Sequence, residues 1–267
     1  MGNTVHEGRS TFYDSNGGGG NCSYVSAPAN RLYVALGPSE YSAGAACGGY
    51  LEVTGPKGRV RVLVMDQCPE CEEGHLDLSK EAFAAIADPV QGVVAVTYRA
   101  VVDPAPIGLL TFRMKEGTSQ WWFAVLVGDH GNPLTSVEAQ PAGSGWRPAT
   151  RQSYNYWVID SGLGTGPYAI RVTDVYGHRV VATGIRLTPG QTQRSTVRMY
   201  PGAGAVGKSS PAAGPVGAAP VSSGTTSAVD TAVGTAAGSP AGFTRPPSTP
   251  PSASVGVPAG PPTVARC

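Results

Sequence analysis

Charge is scarce in this chain: only 14% of its 267 residues are Asp, Glu, Lys or Arg, with 19 basic against 18 acidic side chains. No basic run of the kind that grips phosphate is present, which excludes a nucleic-acid partner. No uninterrupted apolar stretch approaches the roughly 18 residues of a membrane-spanning helix, so no membrane partner is expected either. Residues 104–200 lack cysteine and residues 1–103 lack tryptophan. The opening MGNTVHEG has neither the basic start nor the apolar stretch of a secretory signal; the expectation is a leader already removed, or a misplaced start.

What is present divides into three regions. Residues 201–267 are almost entirely Ala, Gly, Pro, Ser, Thr and Val and hold 12 of the 24 prolines. Such a segment cannot bury enough apolar surface to offset its ordering entropy, so a disordered tail is expected there, ending in an odd Cys267. Residues 5–103 and 104–200 then form two domains, divided near the Pro-rich run VDPAPI at 102–107. Residues 1–103 carry 7 basic and 12 acidic side chains, a net of −5, and residues 104–200 carry 9 and 5, a net of +4.

Cys22, Cys47, Cys68 and Cys71 all fall in the first half, an even set that points to disulfides and an oxidising compartment. Three pairings are open. Pro69 and Glu70 make a tight loop that favours Cys68 with Cys71, leaving Cys22 with Cys47. A zinc site and a redox pair compete with this reading. Both rank below structural staples, because Cys22 and Cys47 are far apart in sequence and no βαβ pattern surrounds the CxxC.

The secondary structure reads mainly as strand. RVRVLVMD (59–66) places Val60, Val62 and Val64 on one face, residues 50–53 and 93–99 are β-branched or aromatic runs, and GPKG (55–58) is a turn. A helix starts at the N-cap Ser79, with Phe83 and Ile86 on one side, and a second is expected from about Glu40 to Cys47. In the second half, runs at 110–115, 122–127, 156–160, 168–173, 180–187 and 195–200 alternate with turn residues, the pattern of a β-sandwich. Trp146 and Trp157 are expected in its core.

Several segments, in order, resemble bacterial expansins: HEGRSTFYD near the start, GGYLEV (48–53), GPKG, the strand ending in Met65-Asp66, GHLDLS (74–79) and KEGTSQWW (115–122). The resemblance spans residues 5 to 200. It implies a six-stranded double-psi β-barrel followed by an immunoglobulin-like carbohydrate-binding β-sandwich, and loosening of cell walls without evident hydrolysis. It further implies a secreted monomer needing no metal or cofactor, with cellulose, hemicellulose or peptidoglycan as partner. On the matching positions, Thr11, Asp66 and Asp77 line one polar groove, Asp77 being the most critical. Trp121, Trp122 and Tyr154 form a flat sugar-binding strip, with Lys115 nearby. Adjacent strand residues point to opposite faces, so displaying both Trp121 and Trp122 requires a bulge or twist.

From the residues themselves, Asp77 beside Leu76 and Leu78 should be partly buried and hence raised in pKa, fit to act as an acid; the plainer reading is support for the helix start. Asp66 equally reads as a strand-end cap. His75 either tunes Asp77 or packs beside it. One departure from the family is Cys68 where its groove carries an aromatic residue; Tyr13 is the candidate to replace that ring. Family 45 glycoside hydrolases, which the chain also resembles, pair an acid matching Asp77 with an aspartate after a Ser-Thr-x-Tyr segment. Here Asp14 stands one residue too early, and on a strand that turns it to the other face. Asp14 therefore reads as a turn residue. The alternative to loosening is a weak β-1,4-glucan hydrolase or a peptidoglycan lytic transglycosylase using Asp77 as acid.

Overall fold

Six strands close into a barrel in the computed structural model, which describes residues 4–105 and 108–201. They are β1 (His6–Tyr13), β2 (Tyr33–Leu36), β3 (Tyr50–Gly55), β4 (Gly58–Gln67), β5 (His75–Ser79) and β6 (Val94–Ala100), in the order β1-β5-β2-β4-β3-β6. The pairs β1/β5 and β2/β4 are parallel and the other four antiparallel, so the chain crosses itself twice in the double-psi manner. The alternation read in RVRVLV is realised: Val60, Val62 and Val64 face inward with Val34, Val53, Leu76 and Leu78. Helix α2 (Lys80–Ile86) seals one end with Phe83 and Ile86, and the hydroxyl of its N-cap Ser79 accepts a hydrogen bond from Ala82 N at 3.1 Å.

The second expected helix is cut short. Only α1 (Pro38–Tyr41) is helical; Ser42 and Ala43 adopt left-handed backbone angles and the chain runs on in turns to Gly49. Cys47 sits in those turns because its disulfide to Cys22 fixes it there, while Cys68 and Cys71 form the second bridge. The first bridge closes a separation of 25 residues. On chain-entropy grounds it stabilises the fold by about 3 kcal/mol, and the short second bridge by less.

Two sheets follow. One, β10-β9-β13-β14, contains β9 (Leu134–Pro141), β10 (Arg147–Pro148), β13 (Tyr168–Asp174) and β14 (Arg179–Ile185). The other, β11-β12-β8-β7-β15, contains β7 (Thr111–Met114), β8 (Phe123–Gly128), β11 (Thr150–Arg151), β12 (Trp157–Ile159) and β15 (Thr192–Arg194). Between them lies a core of Phe112, Phe123, Val125, Val137, Trp157, Ile170 and Val172. Strand β8 is buried along its whole length. Its outward residues Ala124 and Leu126 join Tyr156 and Val158 in a second apolar layer, covered by Trp122, Tyr154 and the barrel residue Tyr24. FAVLVG is continuously apolar because both of its faces are covered.

Two expectations are corrected here. Trp146 is not in the core: it is partly exposed, with the Arg171 guanidinium 4.4 Å from its ring. Residues 195–200 form no strand; β15 ends at Arg194, while Met199 and Tyr200 pack into the core from irregular backbone.

The modules meet through a hydrogen-bonded clamp. The side-chain amide of the fully buried Asn132 donates to Asp103 Oδ1 and to Asp174 Oδ2, both at 2.7 Å, and its carbonyl accepts from Asp103 N at 2.9 Å. Tyr200 donates to Pro104 O at 3.1 Å. The connecting segment is thereby tied to the sandwich at both Asp103 and Pro104. Apart from Pro201, the tail expected to be disordered lies outside the described residues. Among those residues no helix is long and apolar enough to cross a membrane.

Candidate polysaccharide-binding site

Parallel pairing of β1 with β5 sets Thr11 opposite Asp77, so the two side chains emerge side by side. The Thr11 hydroxyl donates to Asp77 Oδ1 at 2.6 Å, and His75 Nε2 lies 2.9 Å from Thr11 Oγ1. With the single Thr11 proton directed at the carboxylate, His75 must donate through Nε2, which makes a chain His75 to Thr11 to Asp77. Burial pushes the Asp77 carboxyl above its ordinary range. The Thr11 hydrogen bond and His75 oppose that rise, and the charges of Glu70 and Asp66 add to it.

Asp66, at the end of β4, is engaged on both oxygens. Oδ1 accepts from the backbone of Asn21 at 2.7 Å and of Gln67 at 2.8 Å, and Oδ2 accepts from the Tyr13 hydroxyl at 3.1 Å. An oxygen pair so occupied organises the loop in front of it. Gly20 is required there: at its φ of +67° a Cβ would come within 2.7 Å of the Asp66 side chain. Tyr13 is half-buried and packs on Ala35 and the Cys68–Cys71 bridge, in edge contact with Tyr33 at 5.5 Å. Burial and the Asp66 charge both push its phenol upward, so it remains a hydrogen-bond donor. Asp14 is a turn residue: its carboxylate accepts from Asn16 N at 2.8 Å and pairs with Arg31 at 3.3 Å.

The rings of the second module are carried by turns rather than by regular strand. Residues 119–122 close on themselves, Ser119 N donating to Trp122 O at 2.8 Å and Trp122 N to Ser119 O at 3.3 Å. This removes the strand constraint on adjacent tryptophans. Trp121 stands 74% exposed, whereas Trp122 lies half-buried on the outer layer of the five-stranded sheet. Tyr154 lies on the same layer, 6.0 Å from Tyr156, and Lys115 Nζ is 6.0 and 5.4 Å from the two ring centroids. Trp122, Tyr154 and Lys115 are thus brought together, with Trp121 at the edge.

Residues that join the groove to this platform were not picked out from the sequence. Ser23 Oγ donates to Tyr154 O at 2.7 Å, Tyr41 OH to Ser153 O at 2.8 Å and Asn155 Nδ2 to Cys22 O at 3.2 Å. The glycine run GGGG before Asn21 and Cys22 is the signal that could have found them, since it marks close backbone approach.

Asp103, Asp174 and His178 also cluster, with ligand atoms within 4.8 Å of one another. The Asn132 amide hydrogens point at both carboxylates, and His178 Nδ1 lies 2.8 Å from Asp174 Oδ2. These donors fill the positions a cation would need, and the cluster acts as the clamp described above.

Residues 5–98 match the family described as lytic transglycolase, and residues 110–185 match the expansin C-terminal domain. The chain is 35% identical over 195 residues to Expansin-YoaJ of Bacillus subtilis, covering 72% of this chain and 83% of that protein. It is also similar to two solved structures of the expansin of Clavibacter michiganensis. The unliganded form is 48% identical with a TM-score of 0.71, covering 74% of this chain and 99% of that one. A mutant form in complex with cellohexaose is 47% identical with the same TM-score and coverage.

Proposed function

This chain belongs to the expansin family, and from that premise we propose that it binds cellulose or a related wall glycan and loosens glycan contacts without hydrolysing them. The observation that carries the reading is the unequal state of the two groove carboxyls: Asp77 is raised in pKa and backed by Thr11 and His75, while both oxygens of Asp66 are engaged. Hydrolysis of a glycosidic bond takes an acid and a second carboxyl free to act as base or nucleophile, about 5–9.5 Å away. A lone raised acid instead hydrogen-bonds a bridging oxygen and weakens the contact between neighbouring chains.

In this reading Trp121, Trp122 and Tyr154 stack on the flat C–H faces of the sugar rings, which gains apolar burial without charge, and Lys115 lies beside them. The partner is a wall polysaccharide, consistent with the cellohexaose bound by the similar Clavibacter protein, and the place of action is outside the cell. Cellulose is the first choice, with hemicellulose and peptidoglycan as further candidates. The protein acts as a monomer, without metal or cofactor.

The test is incubation with insoluble cellulose and with peptidoglycan, following bound fraction, new reducing ends and mechanical creep. Binding and creep without reducing ends are expected. Steady release of reducing ends that disappears in Asp77→Asn would replace this reading with the hydrolase.

A further inference from the structure

A separate cavity of about 140 Å³ opens on the barrel, and none of the groups assigned to the groove or the platform lines it. Much of its wall is apolar, with Leu36, Val64 and Ala100 from the barrel and Pro133 from the sandwich. These side chains carry no polar atom that could satisfy a sugar hydroxyl, so a pyranose pressed against them would leave hydroxyls without partners. Size points to a single small ring, since an engineered apolar cavity of roughly 150 Å³ holds benzene.

Two carboxylates, Glu40 and Glu73, line the same cavity, and beside them Tyr98 stacks on the exposed His6 with ring centroids 5.3 Å apart. Glu40 is fastened in place: its Oε1 accepts from Gly74 N at 2.6 Å and from the Tyr98 hydroxyl at 3.2 Å, and its Oε2 from Ser39 Oγ at 2.7 Å. Burial acts to raise the Glu40 carboxyl. The hydrogen bonds from Gly74, Ser39 and Tyr98 outweigh it and hold the group below its ordinary range, so it stays charged. Tyr98 registers both acids: burial first, then Glu40 and Glu73, push its phenol up to about 12. An apolar recess edged by fixed negative charge favours an occupant with an apolar body and a cationic end, and the face of the Tyr98 ring adds to that preference. An apolar acid of the same size is repelled.

We propose that this cavity binds a small aryl-alkyl ammonium, its ring seated against Leu36, Val64 and Ala100 and its ammonium beside the Glu40 and Glu73 carboxylates. Such a ligand is chemically unlike a wall glycan. The site therefore goes beyond the function proposed above and does not depend on it.

Benzylamine, toluene and benzoate test it, because they share one ring and differ in carrying a positive charge, none or a negative one. Their binding to the full chain is measured by NMR titration. Benzylamine should bind, toluene roughly tenfold more weakly, and benzoate not measurably. Glu73→Gln removes one charge from an exposed position and should weaken benzylamine by roughly threefold while leaving toluene unchanged. Ala100→Leu fills the recess and should abolish binding of both, with the cellulose isotherm unaltered; Ala100→Val serves if the larger side chain unfolds the barrel. Benzoate binding as tightly as benzylamine would overturn the charge selection. Benzylamine binding unaffected by the filled recess, or none to the native chain, would overturn the site.

Discussion

On the proposed function, the two halves of the molecule would meet polysaccharide by opposite means. In the barrel the groups that matter are half-buried and mutually bonded: Asp77 to Thr11, Thr11 to His75, Asp66 to Tyr13 and two backbone N–H groups. In the sandwich they are rings on turns, one of them 74% exposed. Groove electrostatics depend on protonation and geometry, whereas stacking depends on area. The halves should therefore separate cleanly by mutation, pH and salt.

The largest effect is expected from removing the platform. If each ring contributes about 1 kcal/mol, replacing Trp121, Trp122 and Tyr154 together by Ala should weaken cellulose binding by roughly a hundredfold, as read by a depletion isotherm. Asp77→Ala should leave that isotherm nearly unchanged and abolish creep. Equal losses of binding in the two proteins would end the distinction between a holding half and an acting half.

Next in size is the Cys22–Cys47 bridge. Replacing both cysteines by Ala should lower stability by about 3 kcal/mol in denaturant unfolding, more than the same change at Cys68 and Cys71.

A smaller effect separates the halves by pH. A carboxyl whose folded pKa lies above its unfolded value contributes stability below the unfolded pKa and loses it as pH rises through the folded one. Burial places Asp77 in that class. Asp77→Asn should therefore melt at a higher temperature than the native protein at neutral pH. The gap should close as pH falls below about 4, the ordinary range of an aspartate. A gap independent of pH would mean that the carboxylate is not penalised by its site. Smallest of all is the response to salt: raising it from roughly 0.1 to 1 M should barely alter binding to cellulose, where stacking dominates.

Much of this arrangement is legible in the residues. The period-two pattern of RVRVLV and the N-cap at Ser79 depend on local chemistry, and both are realised. So is the pairing of the four cysteines that the Pro69-Glu70 loop favours among the three open to them. The misreadings arise where distant groups decide. Ser42 and Ala43 leave the helix because a disulfide and turns, which no propensity encodes, claim the segment. Trp146 finds its cover in a guanidinium from another strand rather than in the core. Strands β1, β2, β5 and β9 and the short β10 and β11 went unread: β1 carries the polar residue Thr11 among mixed neighbours, β2 is a four-residue apolar run without alternation, and β5 is only five residues long. The contact of Asn21 with the Ser153 carbonyl also went unread, since it exists only once two loops over a hundred residues apart meet.

Where the barrel touches the sandwich at Gly48, the φ is +73° and an added Cβ would lie 2.2 Å from the His130 ring and 2.6 Å from the Tyr24 hydroxyl. His130 is itself buried and fastened through Nδ1 to Asn132 O at 2.6 Å, so it has nowhere to retreat. The smallest possible enlargement at position 48 thus acts as a wedge. It offers a way to pry the halves apart without touching any group to which the proposed function assigns sugar contact, turning a fixed caliper into two loosely tethered arms.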